Sequence, residues 1–111
     1  MDRFDTLLQY HRDDPGDPFV RYALAQEHLK RNETNEALAY FEGLADEHPD
    51  YVGTYYHLGK LYEALGRSDD AIRTYQTGIQ RATAANELHA RAELQSALLE
   101  AQGIGFDDED E

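Results

Sequence analysis

Apolar and small residues recur along the chain at spacings that place them on one side of a helix. Tyr55, Leu58, Gly59 and Tyr62 stand at i, i+3, i+4 and i+7, a rhythm that belongs to a helix and not to a strand. A second stripe follows at Ala71, Ile72, Tyr75, Gly78 and Ile79, and the same stripe stands earlier at Ala37, Leu38, Phe41, Leu44 and Ala45. Both follow i, i+1, i+4, i+7, i+8, about the width a packed helix buries. Laying residues 18–51 over 52–85, an offset of 34, brings Tyr22 over Tyr56, Leu24 over Leu58, Ala37 over Ala71 and Phe41 over Tyr75. Self-similarity at such a period signals a repeat architecture in which each copy buries its apolar face against the next.

The segment boundaries carry residues with a mechanical reason to be there. Asp17 before Pro18 supplies a capping oxygen and a first-turn proline, and Thr34 and Ser68 are predicted caps ahead of Asn35-Glu36 and Asp69-Asp70, whose carboxylates suit a helix N-terminus. Gly66 suits the tight turn inside the second copy and Pro49 the stop after the first. Each copy is therefore predicted to be a helical hairpin. The frame extends outward: Pro15 lies one period before Pro49 and Leu7 one period before Phe41. Asp2 to Arg12 then reads as the second helix of an incomplete preceding copy, burying Phe4, Leu7, Leu8 and His11. Asn86 to Gln102 reads as one further helix, ended by Gly103 and Gly105. The expected organisation is a single domain over 1–105, made of a partial repeat helix (2–14), repeats at 18–51 and 52–85, and a closing helix (86–102). An acidic tail at 106–111 is predicted to be disordered.

With Tyr55, Leu58-Gly59, Tyr62, Gly66, Ala71 and Tyr75 at these offsets, the second copy resembles a tetratricopeptide repeat. It departs at its end, where Gly78 and Thr83 replace an alanine and a proline. The first copy keeps Leu24, Ala37, Phe41 and Pro49 but has Arg21, Ala25, His28 and Asn32 at the places of an aromatic, a glycine, a tyrosine and the turn glycine. The resemblance implies an all-α fold of antiparallel hairpins, about six helices, stacked as a short right-handed superhelix. It also implies that the first helix of every copy lines a concave surface, through Phe19, Tyr22, Gln26, Leu29 and Lys30, then Gly53, Tyr56, Lys60, Glu63 and Ala64. In the last helix the same positions are Glu87, Ala90, Leu94, Ala97 and Leu98. From these the expected peptide-binding set is Phe19, Tyr22, Gln26, Lys30, Tyr56, Lys60, Leu94 and Leu98. Where a chaperone-tail clamp of this family uses asparagines and further basic residues, Tyr22 and Gln26 stand here instead.

Charge sharpens this reading. Acidic residues number 23 against 10 basic ones, a formal net charge of −13, so nucleic acid, which needs a basic footprint, is not an expected partner. The basic residues comprise eight arginines and only two lysines, and both lysines, Lys30 and Lys60, fall in the predicted groove. Together with the stacked tyrosines they suggest a site for an extended peptide carrying an acidic group. An acid-rich, lysine-poor surface also fits adaptation to concentrated salt. No apolar run approaches the ~18 residues of a membrane span, and cytoplasmic residence without membrane association is expected.

The catalytic inventory is thin. Cysteine is absent, which removes disulfides, cysteine–zinc sites and thiol nucleophiles. The five histidines form no metal-protease spacing, and neither a phosphate loop nor a nucleophile elbow occurs. No enzyme activity, cofactor or metal is expected. His28, at the place of a packing tyrosine, reads as a hydrogen-bonded, half-buried residue. The last helix adds a rival function, because it is apolar on two sides: Leu88, Ala92 and Leu99 are predicted to pack inward, leaving Ala90, Leu94, Ala97, Leu98 and Ala101 as a second stripe. That stripe lengthens a peptide groove, joins a second copy in a homodimer, or becomes core if the helix is rotated.

Overall fold

The protein is described by a computed structural model over residues 2–103, and all regular structure among the described residues is helical. The helices are α1 (Arg3–Asp13), α2 (Pro18–Lys30), α3 (Thr34–Glu47), α4 (Gly53–Ala64), α5 (Ser68–Ala84) and α6 (Leu88–Ala101). The predicted tail at 106–111 lies outside the described residues, as does Gly105.

Local chemistry sets the starts and stops. Asp17 accepts a hydrogen bond from the Phe19 backbone N–H at 3.0 Å, with Pro18 in the first turn of α2, and Asp2 caps α1 by accepting from Asp5 N–H at 2.9 Å. That hydrogen bond holds the Asp2 carboxyl below its ordinary pKa. Thr34 and Ser68 are not caps. Each is already the first helical residue, Glu33 and Arg67 stand in the cap position, and neither makes a side-chain cap bond. The reason lies in the preceding turn. Asn32, Gly66 and Asn86 all sit in the left-handed region, at φ +60°, +76° and +60°. The following N–H groups, of Glu33, Arg67 and Glu87, donate back to the carbonyls of His28, Tyr62 and Ala82. This is the six-to-one closure of a helix end, and it hands the chain into the next helix one residue earlier than a serine or threonine cap would.

Packing divides the chain into two compact units, one reaching to Tyr51 and one beginning at Val52. In the first unit α2 packs against α3 and α1 against α2. Leu7, Val20, Ala23 and Leu24 form one core cluster with Phe4, Leu8 and Tyr40 against it, and Phe41 and Leu44 are fully buried. In the second unit α5 packs against both α4 and α6, and α4 also meets α6. There Tyr75 is fully buried, and a Cβ placed on Gly59 would lie 2.1 Å from its ring. Each such large side chain contributes about 1.5–3 kcal/mol by leaving water.

The closing helix is rotated relative to the inward face predicted for it. Leu94 and Ala97 are buried, whereas Leu88 and Leu99 are 56% and 48% exposed and Ala92 is exposed. Gly78 explains the choice. A Cβ there would stand 3.0 Å from Leu94 Cδ1 and 2.6 Å from Tyr55 Cβ, so the missing side chain on α5 makes the room that Leu94 fills.

Candidate functional site

The face of α2 carries four of the predicted binding residues, and the structure gives them unequal roles. Phe19 is 63% exposed. Tyr22 is half-buried, its ring 6.2 Å edge-on from Phe41 and 5.5 Å from Tyr51. Burial, and next the neighbouring Tyr51, push its phenol above the ordinary pKa. Gln26 donates to the Tyr22 hydroxyl at 3.3 Å. Lys30 points its ammonium at Glu27, 3.3 Å away, and Arg3 reaches the same carboxylate at 3.1 Å. Glu27 is itself buried. Sequence reasoning passed over it, although a carboxylate one turn before Lys30 was the signal that this lysine has a local partner.

In the second unit Tyr56 and Lys60 lie one turn apart on α4, the ammonium 5.6 Å from the ring centroid. Glu100 of α6 stands 3.6 Å from Lys60, so α4 and α6 together present an aromatic ring, a cation and a carboxylate. Next to them, burial lowers the pKa of His57 and the nearby Glu93 opposes the shift. Of the last two predicted contacts, Leu98 is half-buried and Leu94 is only 1% exposed. Leu94 is therefore core, and a side chain already enclosed by α5 offers no surface to a ligand.

His28, expected to be half-buried, is buried. Its Nδ1 lies 2.8 Å from a Glu33 oxygen and its ring stacks on Tyr40 at 5.5 Å. The Tyr75 hydroxyl donates to Glu63, and burial followed by that carboxylate drives its pKa far above the ordinary phenol range. Both are packing arrangements. Among the described residues no cluster of His, Asp or Glu could hold a metal ion, and no helix is long and apolar enough to cross a membrane.

Two clefts in the first unit had no counterpart in the sequence reading. One, of ≈ 660 Å³, opens between α1 and the start of α2 and is floored by Leu7, Tyr10, Phe19 and Val20. The other, of ≈ 310 Å³, lies among His11, Arg21, Tyr40 and Glu47. The Arg21 guanidinium there is held at 2.7 Å by Glu47.

Known proteins share this architecture. A family model described as a tetratricopeptide repeat matches residues 28–98. A solution structure of a tetratricopeptide repeat domain protein from Salinibacter ruber is 59% identical, covering 83% of this chain and 93% of its own, with a TM-score of 0.78. A crystal structure of such a protein from the same organism is 60% identical, covering 78% of this chain and 98% of its own, with a TM-score of 0.77. A protein from Bordetella parapertussis shares the fold at 19% identity, with a TM-score of 0.76 over 92% of this chain and 89% of its own. No curated protein matches the chain.

Proposed function

Since this chain belongs to the tetratricopeptide repeat family, whose members are generally protein-binding and typically non-catalytic, we propose that it is an interaction module that receives a peptide segment on the exposed faces of its first-position helices. In the second unit the receiving face is Tyr56 and Lys60 with Leu98, and in the first it is Phe19, Tyr22, Gln26 and Lys30. The observation that carries the reading is the looseness of the Lys60–Glu100 pair. At 3.6 Å, with side chains 39% and 58% exposed, it lies beyond hydrogen-bonding distance and contributes little to stability. A ligand carboxylate can therefore take the place of Glu100 beside Lys60 while its chain lies over the Tyr56 ring.

The test is titration of the isotope-labelled protein with a short alanine-based peptide bearing two glutamates. Amide shifts are expected along α4 and α6, Lys60→Glu should weaken binding by about fivefold, and Glu100→Gln should strengthen it. Equal affinity for the parent and Lys60→Glu removes the reading. A second reading is favoured by the exposure of Leu88 and Leu99 on α6, which offers an apolar stripe for self-association. A solution mass of twice the chain, falling to one chain in Leu88→Lys with Leu99→Lys, would establish it in place of the first.

A further inference from the structure

The cleft between α1 and α2 repeats, in its register, a surface that the second unit covers with a helix. The buried residues of α5 are Ala71, Tyr75, Gly78 and Ala82, and Tyr75 and Gly78 meet α4 directly, through Gly59 and Tyr55. Two 34-residue steps upstream of those four positions stand Arg3, Leu7, Tyr10 and Asp14. All four line the cleft. In the first unit, then, α1 presents the face that α5 gives to α4, and among the described residues of that unit no helix covers it. Tyr10 and Phe19 accordingly remain 54% and 63% exposed.

The charges around the cleft are complementary to a helix entering in the sense α4 has against α5. In the second unit Gly78 lies by Tyr55 and Tyr75 by Gly59, so the two helices run antiparallel. A helix antiparallel to α1 would start beside Asp13, Asp14 and Asp17, which border one end of the cleft, and finish beside Arg3 at the other. Carboxylates at a helix start and a cation at its finish both suit the helix dipole. Of these groups Asp13 also accepts from Gln9, Asp17 caps α2, and Arg3 also pairs with Glu27.

We propose that this cleft docks an amphipathic helix of a partner protein, running antiparallel to α1, with an apolar stripe over the exposed rings of Tyr10 and Phe19 and basic residues in its first turn. The formal net charge of −13 favours such a basic-ended partner over a second copy of this chain. The site is separate from the α4 and α6 face and independent of it, and shares only Phe19 with the face proposed for the first unit.

The experiment uses the full chain and two synthetic helices of about 16 residues, long enough to be helical in an alanine background. Both carry leucines at i, i+3, i+4 and i+7; one has two lysines in its first turn, the other the same lysines in its last. The first peptide should bind about tenfold more tightly, because its lysines meet Asp13 and Asp14 whereas those of the other meet Arg3, with amide shifts confined to α1 and the first turns of α2. Tyr10→Glu with Phe19→Glu, both at exposed positions, should abolish binding while the protein stays helical by circular dichroism. Asp13→Asn with Asp14→Asn keeps the apolar floor and should erase the preference between the two peptides. Absence of binding, equal affinity of the two peptides for the parent protein, or shifts centred on α4 and α6 would each overturn the proposal. So would a free-protein mass of two chains that falls to one in Tyr10→Glu with Phe19→Glu, which would give the cleft to a second copy.

Discussion

Gly59 shows how tightly a single position can be held. A methyl group there would meet the Tyr75 ring at 2.1 Å, and that ring is fully buried and tied to Glu63 through its hydroxyl. Gly59→Ala should therefore cost on the order of 1–3 kcal/mol by overpacking, although alanine is favoured over glycine in an exposed helix by up to about 1 kcal/mol. A urea melt that shows the variant as stable as the parent would mean that Tyr75 does not occupy this contact. That Gly59 and Tyr75 each belong to a buried stripe was legible in advance, although their contact was not. Neither was the burial of Leu94. Leu88, Ala92 and Leu99 make as good a stripe as Ala90, Leu94, Ala97 and Leu98, and periodicity names the faces of a helix without saying which face has a neighbour. Here the deciding residue is Gly78 on a different helix.

Between elements, the turns set the frame. Asn32, Gly66 and Asn86 adopt one backbone geometry with one hydrogen-bond pattern, and only Gly66 announces it by residue type. Asparagine is the usual second choice for the left-handed region because its short polar side chain tolerates it. Gly66→Ala and Asn32→Ala should each lose about 1–2 kcal/mol, the penalty of a Cβ in that region, whereas Asn32→Gly should lose nothing. Thermal midpoints of the three variants check the order. The hairpins were readable because they depend on local spacing and turn chemistry, although the cap positions at Thr34 and Ser68 were not. The cleft beside α1 was not, since no residue type records whether a helix face has a neighbour. The lysines were read correctly as members of first-position helices, yet the carboxylates Glu27 and Glu100 that face them come from a neighbouring turn and a neighbouring helix.

Charge shapes the behaviour of the whole molecule. At −13, repulsion among carboxylates is long-ranged in dilute buffer, and the Debye length falls from ~10 Å at 0.1 M salt to ~3 Å at 1 M. The surface pairs that salt would also weaken are individually small contributors. Raising potassium chloride between those concentrations should therefore raise the thermal midpoint, and a flat or falling midpoint would remove salt adaptation as an account of the composition. The pairing of helices has a consequence of another kind. Within each unit the main packed pairs join helices that are adjacent in sequence, while α4 with α6, and α1 with α3 through His11 and Tyr40, are separated by a single helix. No long loop has to close before contacts begin to form. Topologies of this sort reach their native state in microseconds to milliseconds, so a freshly made chain spends little time with Tyr75, Phe41 or Leu94 uncovered, and its window for misassociation is short.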